Sequence, residues 1–186
     1  MARHSLGLDG SMTKSIGERS VFARNPLDVI AHAHALQAQL CDALERIADG
    51  LPDDVDRRLC VQIAATLTYD LPLHHHDEET ALFPLLRQRA SREDQIDDIL
   101  DHLTSEHSVD TDFAGEIAEA LELMGRGEPV PNPEMMGYML RGFFEGYRRH
   151  IHWENTLVMP VARQKLTEND LLELAEAMER HRAQTL

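Results

Sequence analysis

The chain has 186 residues, 42% of them hydrophobic and 27% charged, which is typical of one globular domain and excludes a disordered chain. Its formal net charge of -15 excludes nucleic acid and anionic membrane surfaces as natural partners, because both repel an acidic protein. Two cysteines without a CxxC spacing, no apolar run of transmembrane length and no signal-peptide core together predict a cytoplasmic protein.

Residues 1–24 are polar and show no hydrophobic period, so we expect a flexible tail ahead of a domain that spans residues 25–186. The pair Asn25-Pro26 is typical of a helix start, where Asn caps free N–H groups and Pro occupies the first turn. Apolar residues then recur at three- and four-residue steps up to Gly50, which predicts the first helix.

The second predicted helix follows a turn at residues 51–54 and runs to about Ala90. Two prolines, Pro72 and Pro84, lie inside it. Proline lacks the N–H that a helix needs and clashes with the preceding turn, so each of them is expected to kink or break this helix.

A capping-box pattern at residues 91–94 opens the third predicted helix, and the glycines at 125–127 end it. The clearest loop of the chain follows at residues 128–133, which contain three prolines. These signals place the third helix between two well-marked connections.

An apolar stripe from Leu140 to Val161 predicts the fourth helix, and Thr167 can cap a short last helix over residues 168–182. Four long helices joined by short connections predict an all-α fold. We expect an up-down antiparallel four-helix bundle with a short extra C-terminal helix.

An internal repeat relates the second helix to the fourth. Residues 74–84 read HHHDEETALFP and residues 150–160 read HIHWENTLVMP, with five identities in eleven positions. The first and third helices match more weakly, with His34 aligned to His107 and apolar positions around them. The two matches describe a duplicated helical hairpin with a pseudo-twofold axis.

The repeat chooses between neighbouring candidates. On the second helix, both His74 with Glu78 and His75 with Glu79 are spaced four residues apart, but only the first pair aligns with the fourth helix. On the first helix, His34 keeps the apolar match to the third helix, whereas His32 disrupts it.

The selected residues fit a buried metal site. Side chains four residues apart lie on one helix face, so each HxxxE pair can offer an imidazole and a carboxylate to the same volume. Burying these groups without a partner would be costly. Nitrogen and oxygen ligands with open positions suit a pair of non-haem iron or manganese ions, and the lack of thiolates argues against structural zinc. The predicted ligands are His34, His74, Glu78, His107, His150 and Glu154.

The remaining conspicuous residues receive weaker interpretations. Five residues are expected either to lie on the surface or to contact the ligands without binding the metal themselves: His75, His76, Asp77, Glu79 and His152. Two roles stay open for Tyr147, since it can pack in the core or extend its hydroxyl to a metal-bound ligand. The two cysteines, Cys41 and Cys60, are expected in the core.

The motifs HHHDEETALFP and RRHIHWENTLVMP, in the order H…HxxxE…H…HxxxE, resemble those of hemerythrin-like, HHE-type cation-binding domains. The resemblance covers roughly residues 25–165 and implies an up-down bundle around a non-haem di-iron centre. It implies that two iron ions, joined by an oxo or hydroxo group, have four terminal histidines and two bridging glutamates: His34, His74, His107, His150, Glu78 and Glu154.

The pattern departs from that of the oxygen-carrying hemerythrins, which have five histidines, including HxxxH on the third helix, and HxxxxD on the fourth. Here Leu103 and Thr111 lie four residues before and after His107, and the fourth helix carries HxxxE. The six-residue set is more similar to nitric-oxide-linked iron-centre repair proteins, without their separate cysteine-bearing domain, and to the iron-sensing hemerythrin domain of an F-box protein.

This resemblance implies three functions, of which binding or sensing of dioxygen, nitric oxide or peroxide is the main expectation. One alternative is a di-iron redox enzyme that reduces nitric oxide or peroxide. Its electrons would come from a partner protein, because the sequence shows no second redox motif. The other alternative is iron storage, donation or homeostasis. The sequence does not decide whether the chain is an enzyme, and it names no catalytic residue.

Overall fold

A computed structural model describes residues 25–130 and 132–185, which form five helices and no strand. The all-α prediction is confirmed for this part of the chain. The predicted tail, residues 1–24, lies outside the described residues, and the domain boundary there stays a prediction.

The first helix, α1, spans Pro26–Gly50 as predicted. The side chain of Asn25 accepts a hydrogen bond from the Leu27 N–H at 3.0 Å, and Pro26 occupies the first helical position. The buried face of α1 carries Ile30 and Leu44 together with one histidine, His34. The sequence signals therefore locate both the start of α1 and its inner face.

The second helix, α2, covers residues 57–89 and passes through both prolines without ending. Its α-helical segments are Arg57–Ala65, Leu71–Asp77 and Phe83–Arg89. One π-helical turn precedes Pro72 and another precedes Pro84, at Thr66–Asp70 and Glu78–Leu82. A wider π turn lets the carbonyls ahead of a proline bond elsewhere, so the expected interruptions are bulges within one helix.

The third helix, α3, spans Ile96–Arg126 and ends at Gly127, which has a φ of 88° that favours glycine. The predicted capping box is present, but it caps the start of a short 3₁₀ turn at Arg92–Asp94, which precedes α3. The predicted start of α3 therefore lies a few residues too early.

The fourth helix, α4, covers residues 133–165, and the fifth, α5, spans Glu168–Thr185. A π turn at Glu154–Val158 interrupts α4 just before Pro160. Its wider spacing moves the buried stripe by one residue. Val158 is buried, whereas Leu157, which an unbroken α-helix would place on the inner face three residues after Glu154, is 39% exposed.

The helices pack so that α1 lies mainly against α4 and α2 against α3, while α5 contacts α1 and α2. Two apolar clusters fill the bundle, one containing Leu44, Leu121 and Phe143 and the other containing Leu82 and Leu100. The predicted metal ligands lie between the two clusters, because each of the helices α1 to α4 contributes residues to one cluster on one side of its ligands and to the other cluster on the other side.

Asp94 joins the start of α3 to the end of α4. Its carboxylate accepts from the Ser91 N–H at 2.7 Å and contacts Lys165 Nζ at 2.8 Å. The hydrogen bond from Lys165, with those from Ser91, holds the pKa of Asp94 at about 2. Its stabilising effect is therefore present above the unfolded pKa of about 3.9 and is lost as the pH falls through the folded value.

An Asp94→Asn variant is expected to melt below the wild type at pH 7, with a difference that stays constant above pH ~4 and disappears near pH ~2. Thermal melts followed by circular dichroism between pH 2 and 7 measure this difference. The exposed Asp98→Asn variant is the control. Equal melting temperatures for wild type and Asp94→Asn at pH 7 would show that Asp94 contributes nothing.

Candidate metal centre

The two HxxxE pairs occupy equivalent places in the bundle. On α2, His74 Nε2 lies 3.2 Å from Glu78 Oε2, and on α4, His150 Nε2 lies 3.0 Å from Glu154 Oε1. All four side chains are buried. In both helices the glutamate is the first residue of a π turn, a distortion that often marks functional sites.

The histidines of α1 and α3 complete the cluster. His34 Nε2 lies 3.3 Å from Glu78 Oε1 and 3.2 Å from Glu154 Oε2. His107 Nε2 lies 3.6 Å from Glu78 Oε2 and 3.5 Å from Glu154 Oε1. Each carboxylate therefore contacts histidines of both hairpins, and the structure brings all six predicted side chains together.

Two of the neighbours that the repeat set aside, His32 and Glu79, lie outside the buried cluster. His32 is exposed on α1, and Glu79 is 36% exposed on α2. Since His34 and Glu78 are both about 1% exposed, the register derived from the repeat is the one in which the buried faces meet.

The buried polar atoms of this cluster lack partners. Among the described residues, five buried side-chain nitrogen or oxygen atoms make no hydrogen bond, and four of them belong to His74, Glu78 and Glu154. An unsatisfied buried polar atom costs about 1–3 kcal/mol, so such a concentration needs a partner. A cation satisfies carboxylate oxygens and imidazole lone pairs at once, which means that the residues fit a metal ion.

Electrostatics give the same answer. Burial raises the pKa of Glu78 well above its usual range, and the nearby Glu154 carboxylate raises it further. Burial acts on Glu154 in the same direction, but His107 and His150 outweigh it and hold its pKa well below the usual range. The surroundings thus shift the two carboxylate pKa values in opposite directions, and a bound cation would favour ionisation of both groups.

Three of the inner histidines are oriented by oxygen acceptors on their outer nitrogen. His34 Nδ1 bonds to Asn155 Oδ1 at 2.9 Å, and His107 Nδ1 bonds to Glu79 Oε1 at 2.8 Å. His150 Nδ1 bonds to Glu106 Oε2 at 3.0 Å. Because the oxygens accept, Nδ1 donates these hydrogen bonds and Nε2 faces the centre, which is the orientation of metal-binding histidines.

These contacts and residues match the pattern of a known domain. A sequence model of the hemerythrin HHE cation binding domain matches residues 25–162. The chain belongs to the hemerythrin HHE cation-binding domain family. No curated protein gives a significant sequence match to this chain. None of the helices in the described ranges is long and apolar enough to cross a membrane.

Of the two environments expected for His75 in this hemerythrin-family sequence, the surface position is wrong, because the side chain is 4% exposed and points into the bundle beside the predicted ligands. Its Nε2 lies 3.2 Å from the Tyr147 hydroxyl and its Nδ1 lies 3.3 Å from Thr111 Oγ1. Its ring stacks on that of His107 at 4.0 Å. Burial lowers the pKa of His75 to about 2, so the ring is neutral.

Tyr147 is fully buried, and burial raises the pKa of its hydroxyl well above the usual range. The hydroxyl therefore stays protonated, and its partner is His75. Its ring stacks on those of Phe143 and His150. The structure thus supports core packing for Tyr147, and its hydroxyl contacts His75 rather than one of the six predicted ligands.

Asp77 is also buried, contrary to the expectation of a surface position or a contact near the ligands. Its carboxylate contacts His181 Nδ1 at 2.7 Å and Arg182 at 2.9 Å, so it fastens α5 to α2. His76 is exposed and its ring lies 4.2 Å from that of His181. His152 is exposed as well. The hydrophobic periodicity of α2 did not predict the burial of Asp77, because the face that carries Asp77 is covered by α5.

Glu106 is the outer partner whose loss gives the clearest test. Burial alone would lower the pKa of His150, but its contacts with Glu154 and Glu106 raise it to about 9. Replacing Glu106 with Gln keeps the shape and removes the charge that fixes the ring. We expect metal affinity to fall ~10–100-fold, as for other outer partners of metal-binding histidines.

Titration against a competing chelator measures this affinity, and the exposed Glu116→Gln variant on the same helix is the control. An affinity equal to that of the wild type in Glu106→Gln would mean that Glu106 does not orient His150.

Proposed function

We propose that this chain holds a pair of iron ions in the hemerythrin-like centre and binds a small ligand, such as dioxygen, nitric oxide or peroxide, at an exchangeable position on that pair. The observation that supports this most is the convergence of four imidazoles and two carboxylates with unpartnered buried atoms. The proposed ligands are His34, His74, Glu78, His107, His150 and Glu154.

The donor set fits iron, with manganese as the alternative. Imidazole and carboxylate ligands suit iron and manganese, and neither buried cysteine, Cys41 or Cys60, lies among them. The ions would supply an open coordination position and electrons for redox chemistry. The two cysteines form no disulfide, which fits a reducing compartment, so the proposal places the protein in the cytoplasm.

A cavity beside the cluster supports binding of a small molecule. It has a volume of about 600 Å³ and lies between α1, α2 and α5. Its lining combines apolar residues such as Ala33 and Leu71 with polar ones, among them the ligand candidate His74. The apolar part of this lining suits the approach of a small, weakly polar molecule.

Metal analysis of anaerobically purified protein tests the metal pair, and air exposure of the reduced protein tests the ligand. We expect two iron ions per chain and new visible bands that reverse when oxygen is removed. Metal content well below two per chain contradicts the proposal.

The same experiment separates the alternatives. Bleaching with turnover of nitric oxide or peroxide would identify a redox enzyme, supplied with electrons by a partner protein. Ready loss of metal to a mild chelator, followed by unfolding, would identify iron handling.

A further inference from the structure

The cavity between α1, α2 and α5 has a floor and a rim of different character. Buried apolar side chains from all three helices form most of its floor, among them Leu40, Ala43, Ile63, Leu71 and Met178. Exposed polar side chains form most of its rim: His32, Gln39, Arg46, Gln62 and Asp70. Helices normally pack without large gaps, whereas sites for small organic molecules have volumes of about 300–1,000 Å³ and an apolar lining with few polar groups. At about 600 Å³, this cavity has the size and the lining of such a site.

One buried polar side chain also belongs to the floor. Gln37 lines the cavity and is 6% exposed, and its Oε1 makes no hydrogen bond to any described residue. A buried amide oxygen without a hydrogen bond destabilises the protein, so a donor at this place would stabilise it. Rotation about the last side-chain bond can turn either the oxygen or the nitrogen of the amide towards the cavity. The Gln37 amide can therefore pair with a group that both donates and accepts, such as a hydroxyl or another amide.

The charged residues around the cavity favour an uncharged molecule. Two arginines and two aspartates line it, and their formal charges cancel: Arg46, Arg182, Asp70 and Asp77. Arg182 and Asp77 already form an ion pair with each other at 2.9 Å. Arg46 and Asp70 are exposed at the rim, so neither would neutralise an ionised group placed on the apolar floor. Such a group would lose its hydration without compensation.

The shape of the cavity suits a linear chain. Its lining extends along α1 from Val29 to Arg46, a length of ~25 Å at the helical rise of ~1.5 Å per residue. Leu36 lies within this stretch and is 50% exposed. An apolar chain bound along α1 would cover this side chain and remove apolar surface from water, which favours binding.

We propose that the cavity binds an uncharged amphipathic molecule with a linear apolar chain and a hydroxyl or amide group that pairs with the Gln37 amide. The chain packs on the apolar floor between α1 and α2. Of the six predicted metal ligands, only His74 lines the cavity, so this site lies beside the metal centre and is separate from it. The site adds a second ligand to the small molecule proposed at the metal pair, and its occupancy does not depend on iron.

Calorimetric titration of the purified protein with 1-decanol tests this site. We expect saturable binding of one molecule per chain. Binding of 1-methoxydecane should be weaker because an ether cannot donate a hydrogen bond, and binding of decanoate should be weaker because it is charged. Gln37→Leu keeps a similar volume and should weaken 1-decanol binding about three- to tenfold, the contribution of one uncharged hydrogen bond, without weakening the binding of 1-methoxydecane. The exposed variant Gln164→Leu on α4 should match the wild type.

A second pair of variants tests the location. Ala33→Phe places a ring in the cavity one turn before Gln37, whereas Ala35→Phe places it on the exposed side of α1. Ala33→Phe should weaken the binding of both 1-decanol and 1-methoxydecane on the order of tenfold, and Ala35→Phe should leave both affinities unchanged. If Gln37→Leu loses its circular dichroism signal, this pair and the comparison of the three compounds decide.

Three results would overturn the proposal in whole or in part. Absence of saturable 1-decanol binding to the wild type, or wild-type affinity in Ala33→Phe, would show that the cavity is not the site. Equal 1-decanol affinity in the wild type and Gln37→Leu would remove the role of the amide. Tighter binding of decanoate than of 1-decanol would contradict an uncharged ligand. None of these results bears on the iron content, so they are distinguishable from a failure of the proposed metal function.

Discussion

Glu78→Ala is expected to abolish retention of the metal pair while the bundle stays folded. The carboxylate of Glu78 contacts histidines of three helices, at 3.2–3.6 Å from His34, His74 and His107. No other side chain of α2 can replace it, because the next glutamate, Glu79, is turned outward to His107 Nδ1. Loss of an outer partner alone costs ~10–100-fold in metal affinity, so loss of a carboxylate shared by both ions should cost at least ~100-fold.

The fold should tolerate this change for a physical reason. Glu78 is buried with an unpartnered oxygen, which is a cost to the metal-free protein. Alanine removes that cost, and the apolar clusters on both sides of the centre are unchanged. Iron content after anaerobic reconstitution and desalting measures the first effect, and circular dichroism measures the second.

Two further variants make the experiment decisive. The pseudo-twofold axis predicts that Glu154→Ala has the same effect as Glu78→Ala, since Glu154 makes the equivalent contacts from α4. Glu145→Ala changes an exposed carboxylate of α4 and should retain both ions. Full iron content in Glu78→Ala would show that this glutamate does not bridge the pair.

The internal repeat explains why much of the cluster could be predicted. Two copies of one hairpin place HxxxE on both α2 and α4, and the alignment of the copies selects one of several adjacent histidines and glutamates. The ends of some helices could be predicted because single residues mark them. The Asn25 side chain caps the start of α1, and Gly127 adopts the left-handed backbone conformation that ends α3.

The same repeat concealed His75. Its equivalent, Ile151, is apolar, and a method that keeps only shared features discards a histidine present in one copy. The expectation of four inner histidines was therefore incomplete as a description of the bundle interior, where five are buried in the described part of the chain. What identified His75 was its packing against His107, a contact between α2 and α3 that no spacing within α2 encodes.

The π turns could not be predicted from the local sequence either. Each proline showed that the helix hydrogen bonds must change nearby, but proline alone does not distinguish a break from a bulge. The outcome depends on whether surrounding helices hold the chain in line. In α2 the apolar residues on both sides of the Glu78–Leu82 bulge, such as Leu71 and Phe83, are buried. Packing therefore favoured continuation with an extra residue per turn.

Removing the metal from the wild type is expected to lower its melting temperature by ~8–16 °C. A ligand present at 1,000 times its dissociation constant stabilises the folded state by ~4 kcal/mol. In a domain of this size, 1 kcal/mol corresponds to a shift of ~2–4 °C. Four helices contribute to the cluster, through His34, His74, His107 and His150, so a bound pair connects all of them.

The comparison with Glu78→Ala separates this effect from ordinary chelator damage. Melts of metal-loaded and chelator-treated protein should differ for the wild type, while the variant should melt at one temperature in both conditions. The measure is the change in melting temperature on metal loading, because Glu78→Ala removes both an unpartnered oxygen and the 3.3 Å hydrogen bond between Glu78 and His34 from the metal-free protein. Identical melting temperatures for loaded and metal-free wild type would mean that the cluster is satisfied without a cation, and the metal-site interpretation of its buried carboxylates would fail.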